Sequence, residues 1–186
     1  YRAINKYHWE CLERGEMTRD QVLLGRFATL FRELGVDVDA EKCARRYEHN
    51  LSIGHYFLPG AEEAMEVLFK KYRLFLTSNG TASVQKGRMT SANLYRFFEK
   101  VFVSQEIGAT KPSKEYFDRA FSQVPDFDPA KAIIVGDSLS SDIKGGINAG
   151  IRTCWVNPGH AAAPADIQPD FEIEALAQLP ALLERL

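Results

Sequence analysis

The stretch AIIVGDSLSSDIKGGINAG, residues 132–150, decides how this 186-residue chain is read. Ala132-Ile133-Ile134-Val135 runs straight into Gly136-Asp137, and a second carboxylate follows at Asp142. A short apolar run that stops at a glycine and a carboxylate is the pattern of a buried strand leaving a parallel sheet at its carboxyl edge. A helix is expected over 141–149, with Asp142 in its first turn, where the macrodipole favours a negative group. Gly145 and Gly146 are adjacent inside that helix. Each costs about 1 kcal/mol relative to alanine, so the pair implies a neighbour that must approach closely.

Working outward, the same texture fills the chain from Ala61 onward. A helix over 61–71 precedes an apolar strand at 73–77, a helix from about 82, and a short strand at Val101-Phe102-Val103. Next come a helix over 114–123, the strand 132–135, the helix 141–149, a strand at 153–156 and a last helix near 175–185. Strands alternating with helices of this length imply βαβ units, hence an α/β fold with a Rossmann-like parallel sheet covered by helices on both faces.

Residues 1–58 read differently, as helices alone. Gly15 interrupts the first, and Thr18-Arg19-Asp20-Gln21 has the form of a capping box opening a second. Val22, Leu23, Phe27, Leu30, Phe31 and Leu34 follow at helical spacing, and Gly35 is placed to end that helix. A third is expected to start after Asp39 and run toward Tyr56. Leu58-Pro59-Gly60 then breaks the pattern and marks a boundary.

Composition narrows the function classes. A formal charge of −2 argues against a broad surface for nucleic-acid polymers or anionic membrane. No apolar run approaches the roughly 20 residues needed to span a bilayer. Cys11, Cys43 and Cys154 form no C-x-x-C pair, which suits reduced thiols in a cytoplasmic protein. His8, His49, His55 and His160 show no metal-ligand spacing. Trp9 and the Phe27/Phe31 pair sit at helical spacing and read as packing residues, while Arg26 is a candidate for substrate contact.

Ligands of such sheets bind beyond the carboxyl ends of the strands. Three ends carry unusual residues. Leu76-Thr77-Ser78-Asn79-Gly80 brings hydroxyl and amide groups directly after an apolar run, and serves equally well as a helix cap. Lys111 stands before Pro112, and Asp137 with Asp142 makes the third. Two carboxylates opposite a lysine and a hydroxyl suit a hard cation beside a phosphate: oxygen ligands meet the octahedral demand of Mg²⁺, and Ser78 and Lys111 can hold phosphate oxygens.

The order S-N-G, then K-P, then G-D-x-x-x-x-D followed by G-G-I-N-A-G-I resembles the haloacid dehalogenase superfamily of phosphohydrolases over residues 59–186. The resemblance implies that Ser78, with Asn79 and Gly80, binds phosphate, that Lys111 is the catalytic lysine, that Asp137 is catalytic as a direct Mg²⁺ ligand, and that Asp142, also assigned to the metal site, is the second acidic position, nearer the lysine and the second metal shell. Residues 1–58 resemble the helical cap of one subgroup; Asn5, Trp9, Gly15 and Arg26-Phe27 are similar to its noncanonical pyrimidine 5′-nucleotidase branch.

One family element is missing. No D-x-D-x-T occurs in the chain, so the nucleophilic aspartate and the general acid/base that this motif supplies are absent from it. In the family that strand lies mid-sheet, between those ending at Ser78 and Asp137. The expectation is therefore an N-terminally incomplete cap over 1–58 and a core over 59–186 that lacks its first strand. The implied activity is Mg²⁺-dependent hydrolysis of small phosphorylated metabolites, nucleoside 5′-monophosphates foremost, through an aspartyl-phosphate. Two alternatives stand beside it: a metal-independent 2-haloacid dehalogenase, which the Asp137/Asp142 pattern disfavours, and a non-catalytic binding protein if the motif is truly absent. The sequence leaves the oligomeric state unassigned.

Overall fold

Thr18 and Gln21 do close a capping box in the computed structural model, which describes residues 1–186: the Gln21 amide donates to Thr18 Oγ1, and the Thr18 amide donates to Gln21 Oε1. The helix this opens, α2 (Arg19–Leu34), ends on Gly35 in the left-handed region, φ 65°. It packs between α1 (Arg2–Glu13) and α3 (Ala40–Ile53), whose first turn is capped by Asp39 accepting from the Lys42 amide at 2.9 Å. The third helix stops short of Tyr56, because Gly54 takes an extended conformation. These helices form one compact unit, Tyr1–Gly54, with Cys11, Leu12, Val22, Phe27 and Ala44 buried.

The second unit, His55–Leu186, alternates strand and helix. In chain order it contains α4 (Ala61–Leu68), β1 (Phe75–Ser78), α5 (Ala82–Ser91), β2 (Lys100–Val103), α6 (Ser104–Ile107), α7 (Lys114–Phe121), β3 (Ile133–Gly136), α8 (Lys144–Ala149), β4 (Arg152–Val156), β5 (Phe171–Ile173) and α9 (Leu179–Leu183). All pairings are parallel, but the strands form two sheets: β1 with β2, and β3-β4-β5. Thus β1 and β3 each keep one edge that no strand pairs.

One apolar cluster nevertheless underlies both sheets. Phe75 and Phe102 from the first pack with Ile134 of β3 and with Tyr116, Phe117 and Ala120 of α7. A second cluster joins Leu68, Cys154, Val156, Ile173 and Leu179 on another part of the unit. The α/β class expected from the alternation is what the structure has. It adds β5, a strand too short for its periodicity to be read, and it changes the start of the helix expected at 141. Leu139–Ile143 makes a wide π turn, in which the Ile143 amide reaches back to the Ser138 carbonyl at 3.1 Å, before α8 begins at Lys144. No helix is long and apolar enough to cross a membrane.

Candidate active site

The carboxyl ends of β1 and β3 are bridged by Lys111. Its ammonium donates to the Thr77 carbonyl at 3.1 Å, to Thr77 Oγ1 at 3.3 Å and to Asp142 Oδ1 at 2.6 Å. The pair is deeply placed, with Lys111 and Asp142 side chains 7% and 11% exposed. Asp142 is committed on its other oxygen too, since Oδ2 accepts the Ser138 amide at 3.2 Å. The π turn carries Asp142 back over the strand end, and Gly136 makes room for it, because a Cβ there would overlap the Asp142 carboxylate.

Asp137 differs in every respect. It is exposed, and its carboxylate has neither a hydrogen bond nor an ion pair within the chain. Its backbone is fixed instead: the buried Trp155, paired opposite Gly136 in the sheet, donates Nε1–H to the Asp137 carbonyl at 3.1 Å. One strand end therefore presents one free carboxylate and one spent on a lysine.

At the end of β1, Ser78 Oγ accepts the Gly80 amide at 3.0 Å and keeps its own O–H to donate. Asn79 is used structurally. Its Nδ2 donates to the Lys111 carbonyl at 2.9 Å and its Oδ1 accepts the Lys111 amide at 3.0 Å, so the lysine's backbone is pinned to β1 from both sides. The Lys111-Pro112 peptide is cis. Beneath, Tyr116 is fully buried and donates to the Phe102 carbonyl at 2.7 Å; burial, with Asp142 as a further cause, holds its phenol well above the usual range.

The glycine pair has a steric explanation. A Cβ on Gly145 would stand 2.6 Å from the Phe117 ring, and one on Gly146 2.5 Å from Ile134 Cγ2 and 2.7 Å from Thr153 Cγ2. The α8 backbone thus lies directly on α7 and the sheet. The structure brings Ser78, Asn79, Gly80, Lys111, Asp137 and Asp142 into one strand-end region. Sequence reasoning did not single out Thr77 and Trp155. A strand-terminal threonine signals nothing alone, and the tryptophan acts through its ring N–H from a different strand.

The haloacid dehalogenase-like hydrolase family matches residues 16–156, most of the chain and every group just described. The chain belongs to that family. The HAD-hydrolase YfnB of Bacillus subtilis is 38% identical over 179 residues, 96% of this chain and 76% of YfnB. Its crystal structure with bound magnesium superposes with a TM-score of 0.92, covering 98% of this chain and 80% of that one. The pyrimidine 5′-nucleotidases PynA of Streptococcus pneumoniae and YjjG of Escherichia coli are each 32% identical. PynA aligns with 100% of this chain and 78% of its own length, YjjG with 98% and 80%. Family and relatives together support a HAD-type phosphatase.

Proposed function

We propose that the chain forms the phosphate- and metal-binding body of a Mg²⁺-dependent phosphomonoester hydrolase, acting on small phosphorylated metabolites and preferring pyrimidine nucleoside 5′-monophosphates. The observation that carries this reading is the contrast at one strand end: an exposed, unpartnered Asp137 carboxylate beside the buried Lys111–Asp142 pair. A free hard oxygen donor fits Mg²⁺, which keeps several waters and takes one or two carboxylates with phosphate oxygens. Asp142, with both oxygens engaged, would act on that site through Lys111 and the Ser138 amide rather than as a ligand.

In this scheme the Ser78 hydroxyl donates to one phosphate oxygen. Lys111 turns toward another, giving up Thr77 Oγ1, the longest of its contacts. Asp142 holds the ammonium and Asn79 the lysine's backbone in register while it does so. When bound, Mg²⁺ on Asp137 would offset the charge between the phosphate and an attacking carboxylate. That carboxylate is the aspartate of a D-x-D-x-T strand, which these 186 residues do not supply. The unpaired edges of β1 and β3 can each accept one parallel strand, and a strand shared by both would end beside Asp137. The carboxylate attacks phosphorus and the ester P–O bond breaks as the motif's second aspartate protonates the departing alcohol oxygen; that aspartate then takes a proton from the water that hydrolyses the aspartyl-phosphate to inorganic phosphate. The names of PynA and YjjG support the choice of pyrimidine nucleotides. The unpartnered carboxylate at Asp137 favours phosphate chemistry over metal-independent dehalogenation.

The test uses the gene product extended upstream through that strand, with Mg²⁺ titrated and UMP, CMP and hexose phosphates compared at sub-saturating concentration. Asp137→Asn is expected to lower Mg²⁺-dependent kcat/KM roughly a thousandfold or more, several kcal/mol of charge stabilisation being lost. Retained Mg²⁺-dependent turnover rejects the assignment of Asp137. Hexose phosphates outperforming both nucleotides by about tenfold would remove the substrate claim and leave the chemistry.

A further inference from the structure

Asp137 owes its fixed backbone to a residue from another strand. Trp155 stands opposite Gly136 in the register of β3 with β4 and is only 4% exposed. The two-residue period of β4 turns Trp155 to the same face as Thr153, while Cys154 and Val156 enter the cluster on the other face. There the indole packs with Leu139 and the fully buried Ile143, the two ends of the π turn that carries Asp142. Its Nε1–H donates to the Asp137 carbonyl at 3.1 Å. One side chain therefore stands behind both carboxylates: the ring supports the turn that holds Asp142, and the N–H holds the backbone of Asp137. The two are not equally in need of it. Asp142 is already locked by Lys111 and the Ser138 amide, whereas the Asp137 carboxylate is free and its residue has just left the ladder at Gly136. A carboxylate on an unrestrained backbone loses that freedom when it takes a cation, and the loss weakens binding. A hydrogen bond to the carbonyl fixes the peptide plane beforehand, so that only the side-chain torsions remain to be ordered.

We infer that Trp155 is a positioning residue for the metal site: its indole N–H pre-orients Asp137 and so sets the affinity for Mg²⁺, without touching metal or substrate. The inference rests on the reading of Asp137 as a metal ligand, and deepens it by naming what holds that ligand ready. Hydrogen-bond partners behind metal ligands govern affinity by about ten- to a hundredfold, and a contact to the ligand's backbone rather than to its carboxylate belongs at the lower end.

The experiment reads metal binding without turnover. Mn²⁺, a paramagnetic stand-in for Mg²⁺, is titrated into the gene product extended upstream through the D-x-D-x-T strand, free Mn²⁺ is followed by electron paramagnetic resonance, and Mg²⁺ is then used to displace it. Trp155→Phe keeps an aromatic ring and removes the donor. Because the smaller ring also leaves space in the cluster, a second protein carries benzothienylalanine in place of Trp155, which keeps the indole shape and puts sulfur where the N–H was. Both are expected to bind Mn²⁺ and Mg²⁺ about tenfold more weakly, with the accompanying rate loss recovered at saturating Mg²⁺. A merely structural tryptophan would give another pattern, a lower melting temperature for Trp155→Phe with metal affinity unchanged. Parent-like metal affinity in the benzothienylalanine protein, with Asp137→Asn weakened, overturns the inference alone. So does a rate loss in that protein that saturating Mg²⁺ fails to recover. Failure of the underlying metal reading is seen separately: Asp137→Asn then binds Mn²⁺ as tightly as the parent, and both assignments fall together.

Discussion

Replacing Asp142 by asparagine removes a charge while keeping the side chain's shape, so it isolates what the Lys111–Asp142 pair contributes. The parent pair is closed at 2.6 Å with both side chains nearly out of solvent, 7% and 11% exposed. Taking away the anion leaves an ammonium buried against two neutral Thr77 oxygens. Removing one partner of a buried pair costs about 3–5 kcal/mol, because the remaining charge keeps its desolvation penalty without its compensation. In a chain of this length each kcal/mol lowers the melting temperature by about 2–4 °C, so Asp142→Asn should melt roughly 6–20 °C below the parent. The measurement is thermal unfolding followed by circular dichroism. Asp137→Asn serves as the control: its carboxylate is exposed and unpartnered, and such substitutions stay within about 0.5 kcal/mol. The double variant Lys111→Met/Asp142→Leu should recover much of the loss, since an apolar pair of similar volume carries no uncompensated charge. An Asp142→Asn protein melting within about 2 °C of the parent would refute the reasoning.

Two further outcomes follow from packing and burial. Gly146→Val should destabilise by about 1–3 kcal/mol, read as a lower melting temperature, because its side chain must displace Ile134 and Thr153. Gly159→Ala, where a Cβ meets nothing within 4 Å, should leave the melt unchanged, and equal melts for the two variants would contradict the close approach. Burial pushes the Cys154 thiol up to about 11, so at pH 8 only about one such group in a thousand is thiolate. A disulfide reagent at pH 8 should therefore modify the half-buried Cys43 first, and the buried Cys154 only as pH rises toward 11 or the protein unfolds. Equal labelling of both in the native protein at pH 8 would show that Cys154 is accessible.

What the sequence determined by itself is local or periodic. The capping box at Thr18, the stop at Gly35 and the alternation of apolar runs with helical spacing each depend on residues within a few positions of one another, so the α/β class was legible. The candidate residues at the strand ends were legible for the same reason, since Ser78, Lys111, Asp137 and Asp142 each stand beside or at the start or end of a recognisable segment. The motif resemblance already set Asp142 nearer the lysine and Asp137 at the metal, but tertiary structure supplied the contacts behind that division. Asp137 and Asp142 are five residues apart and chemically identical, and no spacing or periodicity in the chain says which carboxylate is free. The π turn settles it by carrying Asp142 to a lysine 31 residues away. Asn79 has the same history: its sequence position suggests phosphate binding, yet its side chain is spent on the Lys111 backbone across 32 residues. Trp155 reaches Asp137 only because β4 lies beside β3. The split into two sheets, with β1 and β3 each unpaired on one edge, was likewise invisible in the strands' composition. Hydrogen-bond partners between strands and the burial of a charge depend on where distant segments meet, and a sequence read along its length contains no such distances.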